Sequence, residues 1–152
     1  MESVTRPGIP PQAHLAFKGV IFEVWQWEQE LYDGSTATFE KLWRCPTVEV
    51  IATVGDKIIL EEESQPGKGD FVGIVAGRAD KGDDMLEEAK RELLEETGYV
   101  SEDWELLMSQ GKEGKIVYEI HYFLARNCKK IQEQKLDPGE KIDVKLITFE
   151  EF

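Results

Sequence analysis

Glu88, Glu92, Glu95 and Glu96 stand close together in a stretch rich in Leu, Glu, Ala and Lys, all good helix formers. At about 100° per residue they would share roughly a third of a helix's circumference, with Leu86, Ala89 and Leu93 on the adjoining arc. Carboxylates four residues apart repel by roughly 0.2–0.5 kcal/mol on an ordinary surface helix. The row Glu88, Glu92, Glu96 therefore calls for a counterion. A hard divalent cation supplies one, because Mg²⁺ takes oxygen ligands and bridges carboxylates to phosphates. Taken alone, the same glutamates also fit a solvated acidic face on an acidic chain.

The helix that carries them is expected from Met85 to Thr97. Asp83 or Asp84 can cap its start, and Gly98 can close it in a left-handed conformation. Ahead of it, Val48–Val54 and Lys57–Glu61 flank Gly55-Asp56, a hairpin signature. Gln65–Asp70 reads as a loop, Phe71–Ala76 as a short strand, and Gly77–Gly82 as a glycine-bracketed loop. After the helix, Trp104–Ser109, Lys115–Arg126 and Val144–Thr148 read as strands, with a polar loop over Lys129–Lys141. Residues 1–16, with Pro7, Pro10 and Pro11, read as an irregular arm. Phe17–Trp27 and Thr36–Arg44 form a hairpin across the turn Tyr32-Asp33-Gly34-Ser35. Trp25 and Trp27 share one face of its first strand, where packing against the chain's own core is the expected fate. Thr148 and Glu151 resemble a capping box, so a terminal helix is expected to be missing after Phe152.

The segment Gly77–Tyr99 resembles the Nudix box, G-x5-E-x7-R-E-U-x-E-E-x-G-U, in which U is a bulky apolar residue. Gly77, Arg91, Glu92, Leu93, Glu95, Glu96 and Gly98 match, Tyr99 is an acceptable bulky residue, and Asp83 stands where the family usually has Glu. Six such identities arise by chance on the order of once in 10⁷ starts at average residue usage. The flanking strand order also resembles the family. The resemblance implies an α/β (α+β) fold, an α/β/α sandwich with a mixed β-sheet. Its single domain would comprise the arm, an N-terminal β-hairpin extension over residues 17–44, and a core over residues 45–152.

What the resemblance implies for individual residues follows from their places in the box. Glu92 and Glu96 match the metal-ligating glutamates, and Glu95 the neighbour that binds metal or acts as base. Arg91 matches the arginine that orients those carboxylates. The carbonyl of Ala76, ahead of Gly77, often ligates metal in the nucleoside-diphosphate-sugar branch. Glu140, in the loop Asp137–Ile142, is the candidate for a further ligand or general base, with Glu133 behind it. The expected cofactor is Mg²⁺, with Mn²⁺ possible. The hairpin resembles the extension of ADP-ribose and ADP-sugar pyrophosphatases, which implies a homodimer and a substrate pocket drawing on Phe39 and Arg44, with Arg78 also placed to meet phosphate or ribose. The expected reaction yields AMP and a sugar phosphate. The alternatives are a dinucleotide polyphosphate or nucleoside triphosphate as substrate, or a non-catalytic nucleotide sensor. The intact Glu92, Glu95 and Glu96 oppose the sensor.

Composition bounds the rest. A chain of 152 residues with 41% hydrophobic content suffices for one core. The net charge of −13 opposes a nucleic-acid backbone, and with it RNA decapping. It admits a small phosphorylated substrate, because bound cations reverse the local sign. No apolar run approaches the roughly 20 residues of a membrane span. The start lacks a secretory h-region, and Cys45 and Cys128 are expected as separate buried thiols in a cytoplasmic protein.

Overall fold

A computed structural model describes residues 6–80 and 84–152, apart from the side chain of Lys112. Asp83, where the box departs from its usual Glu, lies outside the described residues. The chain divides into two compact units, Met1–Pro46 with Gln110–Glu119 and Thr47–Ser109 with Ile120–Phe152.

In the first unit, β1 (His14–Lys18), β2 (Phe22–Glu30) and β3 (Thr36–Arg44) form an antiparallel ladder. At its far side the start of β10 (Ile116–Arg126) runs parallel to β3, with Ile116 beside Leu42 and Val117 beside Trp43. The expected single strand over Phe17–Trp27 is thus two strands, and the arm already turns extended at His14. The chain reverses at Gly19, whose N–H donates to the Phe22 carbonyl at 2.8 Å. A Cβ there would sit 3.2 Å from that oxygen, so a small residue permits the reversal. Val20 and Ile21 have strand-forming side chains, which is why composition conceals the turn. The β2–β3 turn is where the sequence places it: Asp33 Oδ1 accepts from Ser35 N at 3.0 Å and Oγ at 2.6 Å, and Gly34 takes φ 83°.

Alternation along β2 buries Glu23, Trp25 and Trp27 on one face. Each buried Trp contributes about 1.5–3 kcal/mol through apolar burial. The buried acid is satisfied: Arg6 forks onto Glu23 at 2.8 and 2.6 Å, and Trp25 Nε1 donates to it at 3.0 Å. Arg6 also lies 4.2 Å above the Trp43 ring.

In the second unit, β4 (Thr47–Val54) is parallel to the later part of β10 and antiparallel to β5 (Lys57–Gln65) and β7 (Val75–Arg78). β5 in turn pairs antiparallel with β6 (Gly69–Gly73) and β12 (Lys141–Thr148). The fold is mixed α+β, with parallel and antiparallel pairs and one helix, α1 (Met85–Thr97), among the described residues. The segment read as one strand, Phe71–Ala76, is split after Gly73, because its halves pair with different partners. The expected loop Gln65–Asp70 shrinks to a tight turn over residues 66–68, closed by Lys68 N donating to the Gln65 carbonyl at 3.1 Å, while Gln65, Gly69 and Asp70 belong to the β5–β6 ladder. β8 (Tyr99–Val100) pairs with β11 (Lys129–Lys130) inside what reads as a loop, and β9 (Asp103–Glu113) pairs with β10.

Val48, Val50, Ala52, Ile59, Val75, Phe123 and Ala125 from the strands meet Ala89 and Leu93 of α1 in one core. Both cysteines are buried free thiols. Thr148 and Glu151 form the expected capping pair, Glu151 Oε2 accepting from Thr148 N at 2.8 Å.

Candidate metal and catalytic centre

Helix α1 is set by local chemistry. Asp84 caps it, its Oδ1 accepting from Leu86 N at 2.9 Å and Glu87 N at 3.1 Å. Gly98 ends it at φ 78°, and a Cβ there would overlap the Gln132 carbonyl. Leu93 and Ala89 pack inward, so the glutamate row is carried at the margin of the core. Glu88 and Glu96 are buried, Glu92 is nearly so, and Glu95 is about one-third exposed.

Arg91 ties three of these together. Its Nη2 donates to Glu88 and, at 2.6 Å, to Glu92, while Nη1 donates to Glu95 at 2.6 Å. The three carboxylates hold its pKa above the usual guanidinium value. Gly77 of β7 faces the same helix, and a Cβ on it would collide with the Glu92 carboxyl group.

Two carboxylates arrive from β5, and the sequence reading passed over both as functional residues. Glu61 is fully buried, and Glu63 is half-buried two residues on. A signal was present: with a period of two, Ile59, Glu61 and Glu63 share a strand face, and Ile59 belongs to the core. An acid in register with a core residue asks for a partner. Glu140 is brought over by the loop between β11 and β12, which is laced to the end of α1. Lys135 N donates to the Glu95 carbonyl at 2.8 Å, and Gln134 Nε2 to the Glu96 and Ile142 carbonyls at 2.6 and 3.0 Å. Glu133 is solvent-exposed and 3.6 Å from Lys130.

The electrostatics are those of an under-compensated anionic pocket. Burial and the neighbouring Glu63 push Glu61 up, and burial with Glu61, Glu92 and Glu140 pushes Glu96 up. Burial raises Glu92 to about 7 despite Arg91. Among the described residues no hydrogen-bond donor reaches either oxygen of Glu61 or Oε2 of Glu96. Buried carboxylates left so cost several kcal/mol unless protonated or met by a cation.

An all-oxygen donor set with orphaned buried oxygens fits a hard divalent ion. No three acidic, His or Cys side chains among the described residues close tightly around a single point.

The remaining expected residues lie on β7 and in the first unit. Ala76 lies on β7 opposite Glu49, and Arg78 is exposed at the strand's end. Phe39 and Arg44 belong to the first unit. Phe39 meets Trp27 edge-on at 6.0 Å with Lys115 5.7 Å from its ring, and Arg44 lies 5.4 Å from the Tyr118 ring.

The NUDIX domain family model matches residues 43–152. The chain is 32% identical over 139 residues to a methanol dehydrogenase activator of Bacillus methanolicus, spanning 89% of this chain and 75% of that protein. It is 30% identical over 142 residues to the ADP-ribose pyrophosphatase of Bacillus subtilis, with the same coverage of each. An mRNA-decapping protein of African swine fever virus is 32% identical over 114 residues, 71% of this chain and 44% of that one. The crystal structure of an ADP compounds hydrolase shares the fold, with a TM-score of 0.73 and 21% identity over 99% of this chain and 82% of that one.

Proposed function

The chain belongs to the Nudix family and is a pyrophosphohydrolase, and we propose that its substrate is ADP-ribose or an ADP-sugar, cleaved to AMP and a sugar phosphate. The observation that carries the hydrolytic reading is the meeting of the α1 carboxylates with buried Glu61, whose oxygens lack any hydrogen-bond donor among the described residues. The likeness to an ADP-ribose pyrophosphatase along most of the chain supports the substrate.

The family works with divalent metal, and here Mg²⁺ or Mn²⁺ is the proposed ion. Glu92, Glu96 and Glu61 would hold it, with Glu95, Glu140 and the Ala76 carbonyl as further ligands. The bound ion would neutralise pyrophosphate oxygens and acidify an attacking water. Arg91 keeps Glu92 and Glu95 oriented through its fork. Glu140 or Glu95 takes the proton from the nucleophile, since each is a carboxylate with an accessible face. The Glu140 side chain is held within its own loop, where Asp137 N donates to its Oε2 at 3.1 Å. Arg78, Arg44 and Phe39 are the proposed contacts to phosphate, ribose and base.

The proposed assembly is a homodimer through the first unit. Leu15, Phe17, Val20, Ile21 and Phe22 leave an exposed apolar stretch there that supports it. The whole chain would act as one Nudix domain, with the extension over 17–44. No helix among the described residues is long and apolar enough to cross a membrane. The two free thiols support a cytoplasmic setting.

The test is product release from ADP-ribose, ADP-glucose, diadenosine polyphosphates, NADH and nucleoside triphosphates, with Mg²⁺ and with EDTA, beside Glu96→Gln. Metal-dependent AMP from ADP-ribose, lost in the variant, is the expected result. Turnover of only another compound rejects the ADP-ribose reading. Nucleotide binding without any turnover rejects catalysis in favour of a sensor.

A further inference from the structure

Between β11 and β12 the chain over residues 131–140 is neither helix nor strand. Its course follows the end of α1, where the last carbonyls of a helix lack partners within it. Ile131 N donates to the Gly98 carbonyl at 2.9 Å, and Lys135 N to the Glu95 carbonyl at 2.8 Å. The Gln132 carbonyl passes so close to Gly98 that a Cβ there would overlap it.

Among these contacts one half-buried side chain joins two segments. Gln134 Nε2 donates to the Glu96 carbonyl at 2.6 Å and to the Ile142 carbonyl at 3.0 Å. A primary amide nitrogen has two N–H donors, and both are taken. Glu96 is a carboxylate of the centre, and Ile142 stands on β12 two residues beyond Glu140. The backbones that carry Glu96 and Glu140 are thus fastened to one nitrogen.

Glu140 follows that fastening because its turn closes on itself. Glu140 N donates to the Asp137 carbonyl at 3.0 Å, and Asp137 N to Glu140 Oε2 at 3.1 Å. The turn is held on one side by Gln134 and on the other by β12. Holding is needed, since the Glu140 charge acts on Glu61, Glu92 and Glu96. Repulsion among these acids drives an untethered segment outward.

We infer that Gln134 is a positioning residue of the centre: its amide fixes the backbone of Glu140 against that of Glu96, and so delivers the Glu140 carboxylate to the reaction. It touches no reacting atom itself. The inference rests on the hydrolytic reading of this centre, and names the residue through which Glu140 is placed.

A double-mutant cycle on Gln134→Met and Glu140→Gln tests it, with Mg²⁺ and whichever compound of the panel above the native chain cleaves. Met has nearly the length of Gln and donates no hydrogen bond. An ångström of displacement at a reacting centre can cost about 10²-fold, so kcat should fall at least about tenfold in Gln134→Met, with KM within about threefold of native. Residues that act as a unit are non-additive, so the double variant should lie within about threefold of Glu140→Gln alone. Hydrogen exchange in EDTA reads the clamp without turnover. The Lys135 amide should exchange at least about tenfold faster in Gln134→Met, while those of Val48 and Val50 in the core keep their rates. Should Gln134→Met fail to fold, Gln134→Asn, which withdraws the amide by one methylene, carries the same cycle. Native kcat in either single variant overturns the inference, as do additive losses in the cycle or unchanged exchange at Lys135. A native chain that cleaves none of the compounds overturns the hydrolytic reading instead, and the inference with it.

Discussion

Gly77 of β7 lies against the Glu92 carboxyl group of α1, so closely that a Cβ on residue 77 would occupy the volume of that side chain. The first glycine of the box is therefore a steric requirement of the centre, not only a matter of backbone freedom.

Gly77→Ala should push Glu92 aside. Overpacking of this kind costs about 1–3 kcal/mol, and an ångström of displacement at a reacting centre can cost about 10²-fold in rate. We expect kcat/KM to fall by one to two orders of magnitude, on the order of that displacement cost, with a modest fall in Tm. Native activity in the variant would show that Glu92 needs no fixed position.

Glu61→Gln separates stability from metal binding. An acid whose folded pKa is raised lowers stability as pH climbs above its unfolded value, because the unfolded state then releases a proton that the folded state must keep. A neutral amide that titrates in neither state should raise Tm at neutral pH in EDTA, by a stabilisation on the order of 1–2 kcal/mol. The same variant should gain less Tm than the native chain when Mg²⁺ is added, and should lose turnover. Thermal melts with and without Mg²⁺ read both effects. A variant less stable in EDTA would mean that Glu61 has a protein partner.

Arg91→Ala leaves the buried Glu88 without its partner, and because Arg91 itself is half-exposed and screened, the cost by urea denaturation should be about 1–2 kcal/mol. Arg91→Lys keeps the charge but offers a single ammonium where a fork now meets Glu88, Glu92 and Glu95. It should recover part of the stability while kcat stays well below native. Full recovery by Lys would reduce the role of Arg91 to charge alone.

Arg6 and Glu23 form a buried pair in the first unit, each side chain less than one-tenth exposed. The Arg6 hydrogen bonds, partly offset by burial, hold the Glu23 carboxyl below its usual range. A depressed acid contributes stability above its unfolded pKa of about 4.5, and that contribution is lost as pH falls from there through the folded value. The stability difference between the native chain and Glu23→Gln should therefore be largest above pH ~5 and shrink on acidification. Tryptophan fluorescence can follow it, because Trp25 donates to Glu23 and Trp43 lies under Arg6. A difference that does not vary with pH would remove the ion pair from the account.

Local chemistry made α1 readable without coordinates. Its cap at Asp84, its stop at Gly98 and the 3.6-residue spacing of Leu86, Ala89 and Leu93 are properties of one continuous segment. The placement of Glu92, Glu95 and Glu96 on one flank, with Arg91 within reach, follows from that spacing alone. The Asp33–Gly34 turn and the Gly55-Asp56 hairpin were legible for the same reason. Partners that come from distant segments were not. The breaks at Gly19 and after Gly73 depend on which strand each half pairs with, and the side chains around them are strand-forming throughout. Glu61 and Glu63 went unmarked as functional residues, because a carboxylate acquires its shifted chemistry only when other elements exclude water from it. Whether Glu140 reached the site depended on Gln134 and Lys135 bonding the end of α1. The sequence by itself determined the family, the helix and the residue types of the centre. Tertiary structure alone decided that two further acids from β5 join them, since burial and electrostatic coupling belong to no single segment.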